Sequence, residues 1–213
     1  MAVPFRYIVV EGPIGVGKTT LARRLAESFA SDLILEAPEE NPFLPRFYEN
    51  PRRYALSTQL YFLLERARRV DELQQADLFR PVRVADFLMD KDRLFAGLTL
   101  DADELRLYDE LSRQLIADPP RPDLVIYLQA PVKVLKERIA RRGVAYEESL
   151  DARYLQSVVE AYARFFHHYD ASALLIVNAA EIDLAHREED YATLLEQVRA
   201  GPRGRRYFNP LPF

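Results

Sequence analysis

Residues 12–19 read Gly-Pro-Ile-Gly-Val-Gly-Lys-Thr, a complete G-x-x-x-x-G-K-[ST] phosphate loop. Its glycines let the backbone curl until the N–H groups converge on phosphate oxygens, and the helix that follows adds the positive end of its dipole. Lys18 then reaches the β- and γ-phosphates, and the Thr19 hydroxyl can ligate Mg²⁺. The expected nucleotide contacts are Gly12, Gly15, Val16, Gly17, Lys18, Thr19 and Thr20, with ATP as phosphoryl donor and Mg²⁺ beside it. The motif carries weight because the apolar run Tyr7-Ile8-Val9-Val10 precedes it and a helically spaced segment follows.

A carboxylate at a strand's C-terminal end, in the same sheet as such a loop, can accept a proton from a substrate hydroxyl. Of the acids in Glu36-Ala37-Pro38-Glu39-Glu40, Glu36 is nearest the sheet and is the candidate base. Glu39 and Glu40 read as formers of the turn at Asn41-Pro42. Asp86 ends another apolar run and matches the carboxylate that phosphate-loop enzymes keep near Mg²⁺; Thr19 and Asp86 are the expected metal residues, with an N-cap as the alternative role for Asp86. Arg138, Arg141 and Arg142 lie at i, i+3 and i+4 ahead of Gly143, the pattern of a lid that brings guanidinium groups to a transferring phosphoryl. Gln59 and Arg66 share a helical face beside Tyr61 and Phe62, where a polar group can read a nucleobase edge; the same pattern also describes a core helix with an incidental glutamine. His167-His168 lacks metal-ligand spacing and reads as structural or exposed.

These residues need a scaffold that gathers them. Apolar runs at 7–10, 33–35, 82–85, 124–128 and 174–177 alternate with helical segments near 18–30, 52–76, 101–117, 131–141, 151–169 and 187–199. The alternation predicts an α/β fold, a parallel sheet of about five strands with helices on both faces. Ligands in such sheets collect beyond the C-terminal strand ends, where the acids and the phosphate loop sit. Asp101 with Glu104 forms a capping-box pattern, and Pro131 suits the first turn of its helix. Residues 1–200 read as one domain, and the proline-containing tail 201–213 as irregular.

The formal net charge of −4 argues against a nucleic-acid polymer as partner. The absence of cysteine excludes disulfides, Cys-based zinc sites and thiol catalysis. No apolar run approaches the length of a membrane span and the N-terminus lacks a signal pattern, so no membrane partner and a cytoplasmic location are expected.

Together these segments resemble the deoxynucleoside kinase family, which includes deoxyadenosine, deoxyguanosine and deoxycytidine kinases, and the likeness is closest to its bacterial purine-preferring members. It runs from the phosphate loop to about Glu189 and is most specific in E-G-P-I-G-V-G-K-T, P-E-E-N-P-F-L-P-R-F-Y, T-Q-L-Y-F-L-L-E-R and R-I-A-R-R-G. The resemblance implies a phosphate-loop nucleoside-kinase fold and ATP-dependent phosphorylation of a deoxyribonucleoside 5′-hydroxyl, most readily a purine one. It implies that Glu36 deprotonates that hydroxyl, Tyr48 and Glu147 hold the sugar 3′-hydroxyl, Gln59 bonds the base, Arg66 with Asp92 tunes base choice, and Arg138 and Arg142 act from the lid beside Lys18. It also implies a homodimer through the long helices. Two positions depart from the family pattern: Phe87 stands where an arginine often follows the Asp86 position, with Lys91 or Arg93 as stand-ins, and Val144 replaces a lid arginine. The alternatives are a nucleoside monophosphate kinase of the thymidylate kinase type and a catalytically weakened regulatory nucleotide binder. A GTPase is disfavoured because neither Asn-Lys-x-Asp nor Asp-x-x-Gly occurs.

Overall fold

Strands that are apolar on both sides must be covered on both sides. The computed structural model describes residues 4–74, 82–116, 118–185 and 187–209 and uses the apolar runs in that way. The strands are β1 (Tyr7–Glu11), β2 (Asp32–Ile34), β3 (Arg83–Ala85), β4 (Leu124–Gln129), β5 (Ala173–Asn178) and β6 (Arg205–Phe208). They form one parallel sheet in the order β2-β3-β1-β4-β5-β6. β1 is buried throughout its length, with Ile8 opposite Val84 on one side and Leu124 on the other.

The period-2 alternation of the strands separates two cores. Ile8, Val10, Leu124, Ile126 and Val177 face α1 (Lys18–Phe29), α6 (Val132–Arg142) and α8 (Glu188–Arg199), packing on Leu21, Leu25, Leu135, Ile139 and Leu194. Tyr7, Val9, Val125, Tyr127 and Ile176 face the opposite way, onto Val158, Tyr162 and Phe166 of α7 (Ala152–His168) and Phe95 of α4 (Lys91–Thr99). The remaining helices, α2 (Leu44–Glu49), α3 (Pro51–Gln74) and α5 (Ala102–Leu115), pack on one another and on α4 through smaller apolar clusters.

The capping-box expectation is met, Asp101 and Glu104 forming a full capping box at α5, whereas Pro131 stands one residue before the first turn expected for it, as the extended N-cap of α6. The sheet has six strands rather than about five. The tail expected to be irregular instead forms β6 over Arg205–Phe208, parallel to β5. Arg205 Nη2 donates to the carbonyls of Phe166, His167 and Tyr169 at 3.0, 2.9 and 3.2 Å, binding the tail to the C-terminal end of α7. A cation there also meets the negative end of the helix dipole. Short helices α2 and α4 lie in stretches where no helix was expected. The last two residues of the segment 52–76, residue 117 and tail residues 210–213 fall outside the described residues.

Candidate active site

The phosphate loop leaves β1 through Gly12, whose φ of 150° and closeness to Leu128 exclude a side chain: an added Cβ would lie 2.5 Å from the Leu128 carbonyl oxygen. The loop runs into α1, so that Lys18 and Thr19 stand in its first turn and Thr20 behind them. The Lys18 ammonium donates to the carbonyls of Gly12 and Pro13 at 2.8 and 3.3 Å. Thr19 Oγ1 donates to Asp86 Oδ2 at 2.5 Å, bringing two hard oxygen donors together at the head of the loop. This pair fits a Mg²⁺ that takes few protein ligands and completes its shell with phosphate oxygens. Among the described residues no group of three or more His, Cys, Asp or Glu side chains could hold a metal.

Glu36 lies two residues past the end of β2. Ala37 follows it in the left-handed region (φ 53°), and residues 38–40 make a 3₁₀ turn, so the chain reverses and the Glu36 side chain points into the cavity. Its backbone N–H donates to Asp86 Oδ1 at 2.9 Å, locking the base candidate to the metal candidate. Its carboxylate accepts from Arg66 Nη2 at 2.7 Å on one oxygen and from Lys91 Nζ at 2.6 Å on the other. Burial would raise the pKa of this group, but Lys91, Arg66 and Lys18 together hold it at about 2. Glu36 is therefore ionised at neutral pH. Glu39 and Glu40 are exposed in the turn, and Asn41 behind them accepts from the Phe43 N–H and donates to the Thr58 carbonyl, which starts α2 and ties it to α3.

One cavity is lined by Gly15, Lys18, Thr19, Glu36, Tyr48, Gln59, Asp86, Asp92, Arg142 and Glu147 from the sequence expectations, together with Lys91, Phe62, Phe95 and Tyr154. Gln59 is buried on α3 beside Phe62, an arrangement able to present an amide to a flat ring. Arg66 is set behind this wall: Nε and Nη2 bond Asp92 at 3.0 and 2.6 Å, and the guanidinium stacks 4.2 Å over the Phe87 ring. Phe87, in the place of the missing arginine, is core. Arg93 turns outward to Asp109 at 2.6 Å, whereas Lys91 enters the site.

The lid follows α6, which Gly143 ends in the left-handed conformation (φ 68°). Arg142 grips Glu147 through Nε at 3.0 Å and Nη2 at 2.5 Å, uniting the arginine expected at the phosphoryl with the acid expected at the sugar. The lid residue Tyr146 stacks on Tyr48 of α2, with ring centroids 6.0 Å apart. Arg138 goes elsewhere: it donates to the carbonyls of Val16, Ala179 and Ile182 at 3.2, 2.7 and 3.0 Å, joining the phosphate loop to the segment after β5.

The family model for deoxynucleoside kinases matches residues 8–201. This chain belongs to the deoxynucleoside kinase family. It is 34% identical over 158 residues to a deoxyguanosine kinase of Bacillus subtilis, covering 73% of this chain and 76% of that protein. It is 30% identical over 207 residues to a deoxyguanosine kinase of Lactobacillus johnsonii, covering 91% of both. The solved deoxyadenosine kinase of M. mycoides with products dCMP and dCDP has the same fold, with a TM-score of 0.79 at 20% identity over 91% of this chain and 99% of that one.

Within this deoxynucleoside kinase one buried acid was overlooked from sequence. Glu11, at the end of β1, accepts from the N–H groups of Gly12 and Leu88 at 2.8 Å each and from the Tyr162 hydroxyl at 2.9 Å. It fastens the phosphate loop to the loop after β3 and to α7. An acid as the last residue of an otherwise apolar strand, immediately before the loop, was the available signal.

Proposed function

We propose that this deoxynucleoside kinase transfers the γ-phosphoryl group of ATP to the 5′-hydroxyl of a purine deoxyribonucleoside, with Mg²⁺ held by Thr19 and Asp86. The observation that carries the reading is the convergence of an ionised, cation-held carboxylate, Glu36, with Lys18 and the Thr19–Asp86 pair in the cavity that Gln59 and Tyr48 also line. The purine preference is supported by the relatives, several of which are deoxyguanosine or deoxyadenosine kinases.

Phosphoryl transfer of this kind needs positioning and neutralised charge more than covalent catalysis. Lys18 and the loop N–H groups hold the donor phosphates, and a Mg²⁺ held by Thr19 and Asp86 would neutralise negative charge on them. Gln59 bonds the base edge and Phe62 packs beside it; Tyr48 and Glu147 hold the sugar. Glu36 accepts a hydrogen bond from the 5′-hydroxyl and aligns its oxygen. A carboxylate held near pKa 2 is a weak base, so it takes the proton late, as the new O–P bond forms. Arg142, carried by the lid, meets the charge on the moving phosphoryl. A cytoplasmic setting, where ATP is plentiful, belongs to the same reading.

The test is incubation with ATP and Mg²⁺ against a panel of deoxyribonucleosides and their monophosphates, following ADP. Turnover with deoxyguanosine or deoxyadenosine above deoxycytidine and thymidine is expected. Turnover only with monophosphates would overturn the reading in favour of a monophosphate kinase.

A further inference from the structure

The loop after Asp86 delivers a second ammonium, and a buried one, to the cavity that Lys18 lines. Phe87 and Leu88 turn inward to the core, Leu88 N–H is fixed by Glu11, and a bond from the Lys91 N–H to the Leu88 carbonyl opens α4. Lys91 is thus the first residue of α4, buried, with its Nζ on Glu36 Oε2 at 2.6 Å and its side chain lining the cavity. Among the described residues one of its three N–H donors is taken. Lys18 lines the same cavity, half-buried at the head of the phosphate loop. Other nearby acids are engaged. Asp86 accepts from Thr19 and from the Glu36 N–H, and Asp92 is taken up by Arg66. A buried ammonium and a half-buried one lining the same cavity form a receptor for an anion arriving between them.

We propose that Lys91 is a catalytic residue of the transfer: anchored on Glu36, its ammonium contacts the phosphoryl group in flight, together with Lys18. The inference rests on the kinase reading. In that step the bond from O5′ to the γ-phosphorus forms, the bond from that phosphorus to the β,γ-bridging oxygen breaks, ADP departs with the electron pair, and the hydroxyl proton passes to Glu36. As Glu36 becomes neutral its hold on Lys91 weakens, which releases the ammonium toward the new phosphate monoester. Base and cation act on opposite ends of one proton transfer. Arg93 has no part in this; two positions on, it faces about 200° around the helix and pairs with Asp109.

Lys91→Met, Lys91→Arg and Arg93→Met test this by steady-state kinetics and by calorimetric binding of Mg²⁺-ADP with deoxyguanosine, with and without aluminium fluoride as a mimic of the moving phosphoryl. Lys91→Met is expected to lower kcat about 10³-fold with the nucleoside KM within about threefold. Aluminium fluoride should tighten ADP binding to the wild type and not to Lys91→Met, while ADP alone binds both equally, which also certifies the fold. Lys91→Arg should recover at least about tenfold of the loss, and Arg93→Met should match the wild type. If Lys91→Met fails to bind ADP, Lys91→Gln carries the same comparison. A Lys91→Met enzyme within about tenfold of wild-type kcat, or one that aluminium fluoride still tightens, overturns the proposal. Wild-type protein inactive on every deoxyribonucleoside overturns the kinase reading instead, before any variant is made.

Discussion

Arg66 gives the same nitrogen to Glu36 and to Asp92: Nη2 lies 2.7 Å from Glu36 Oε1 and 2.6 Å from Asp92 Oδ1. The acid expected at the substrate hydroxyl and the acid expected to tune base choice are therefore braced by one buried guanidinium. Removing one partner of a buried ion pair leaves the other uncompensated and costs about 3–5 kcal/mol. Asp92→Ala should lose stability on that scale in urea unfolding and should also lower turnover on every nucleoside, because Glu36 shifts with its brace. A variant altered only in base preference would show that the two acids are independent.

Glu36→Gln keeps the shape of the side chain and removes its capacity to take a proton. General-base contributions are on the order of 10²–10⁴ in rate, so kcat should fall on that scale with the nucleoside KM largely kept. Glu39→Gln and Glu40→Gln, exposed in the 3₁₀ turn, should change kcat by less than about tenfold. An active Glu36→Gln enzyme beside a dead Glu39→Gln or Glu40→Gln enzyme would move the base to the turn.

Glu36 also makes stability depend on pH. Its pKa in the folded protein is depressed from 4.5 to about 2, so the folded state favours the ionised form. The resulting stabilisation is complete above pH 4.5 and is lost as pH falls through about 2. At about 1.4 kcal/mol per pKa unit it amounts to about 3 kcal/mol. Unfolding free energies measured between pH 5 and 2 should fall more steeply for the wild type than for Glu36→Gln. Parallel profiles would place the titrating group elsewhere.

The two lid arginines should separate under substitution. Arg138→Met strips three carbonyls of their donor and should destabilise the fold by about 1–3 kcal/mol, visible as a lowered Tm. Arg142 is 48% exposed and, among the described residues, its side chain bonds only the buried Glu147, so Arg142→Met combined with Glu147→Gln, which leaves no buried carboxylate unpaired, should leave Tm nearly unchanged and lower kcat. Equal losses of Tm in both variants would contradict the division.

Leu64 on α3 and Leu107 on α5 are 49% and 46% exposed, and the two helices pack on one another. We propose a homodimer through these two helices, to be checked by sedimentation at micromolar concentration. Leu64→Glu with Leu107→Glu should shift it to monomer. A wild type that sediments only as monomer removes the interface.

What could be read from the sequence had a local cause. The phosphate loop, its flanking strand and helix, and the capping box at Asp101 are each specified by residues within a few positions. α4 escaped notice because no side chain caps its start; the bond from Lys91 N–H to the Leu88 carbonyl begins it, and Leu88 is held by Glu11 from far along the chain. β6 is mostly exposed and exists through pairing with β5 and the anchoring of Arg205 on α7, neither of which its own pattern encodes. Lys91 and Arg93 were equal candidates by spacing, yet two positions apart on a helix they face nearly opposite ways, and only packing decides which enters the cavity. Arg138 and Arg142 share a face by spacing, but backbone carbonyls beside the phosphate loop capture the first.

The stack of Tyr146 on Tyr48 joins the lid to the acceptor wall through ring faces. High ionic strength, which loosens the Arg142–Glu147 pairing, leaves that grip nearly untouched. Any opening of the lid must peel one aromatic face from another, and the chain contains no tryptophan. A single indole introduced as Tyr146→Trp would be the molecule's sole emitter at long wavelength, reporting the lid's opening as a change in fluorescence in real time.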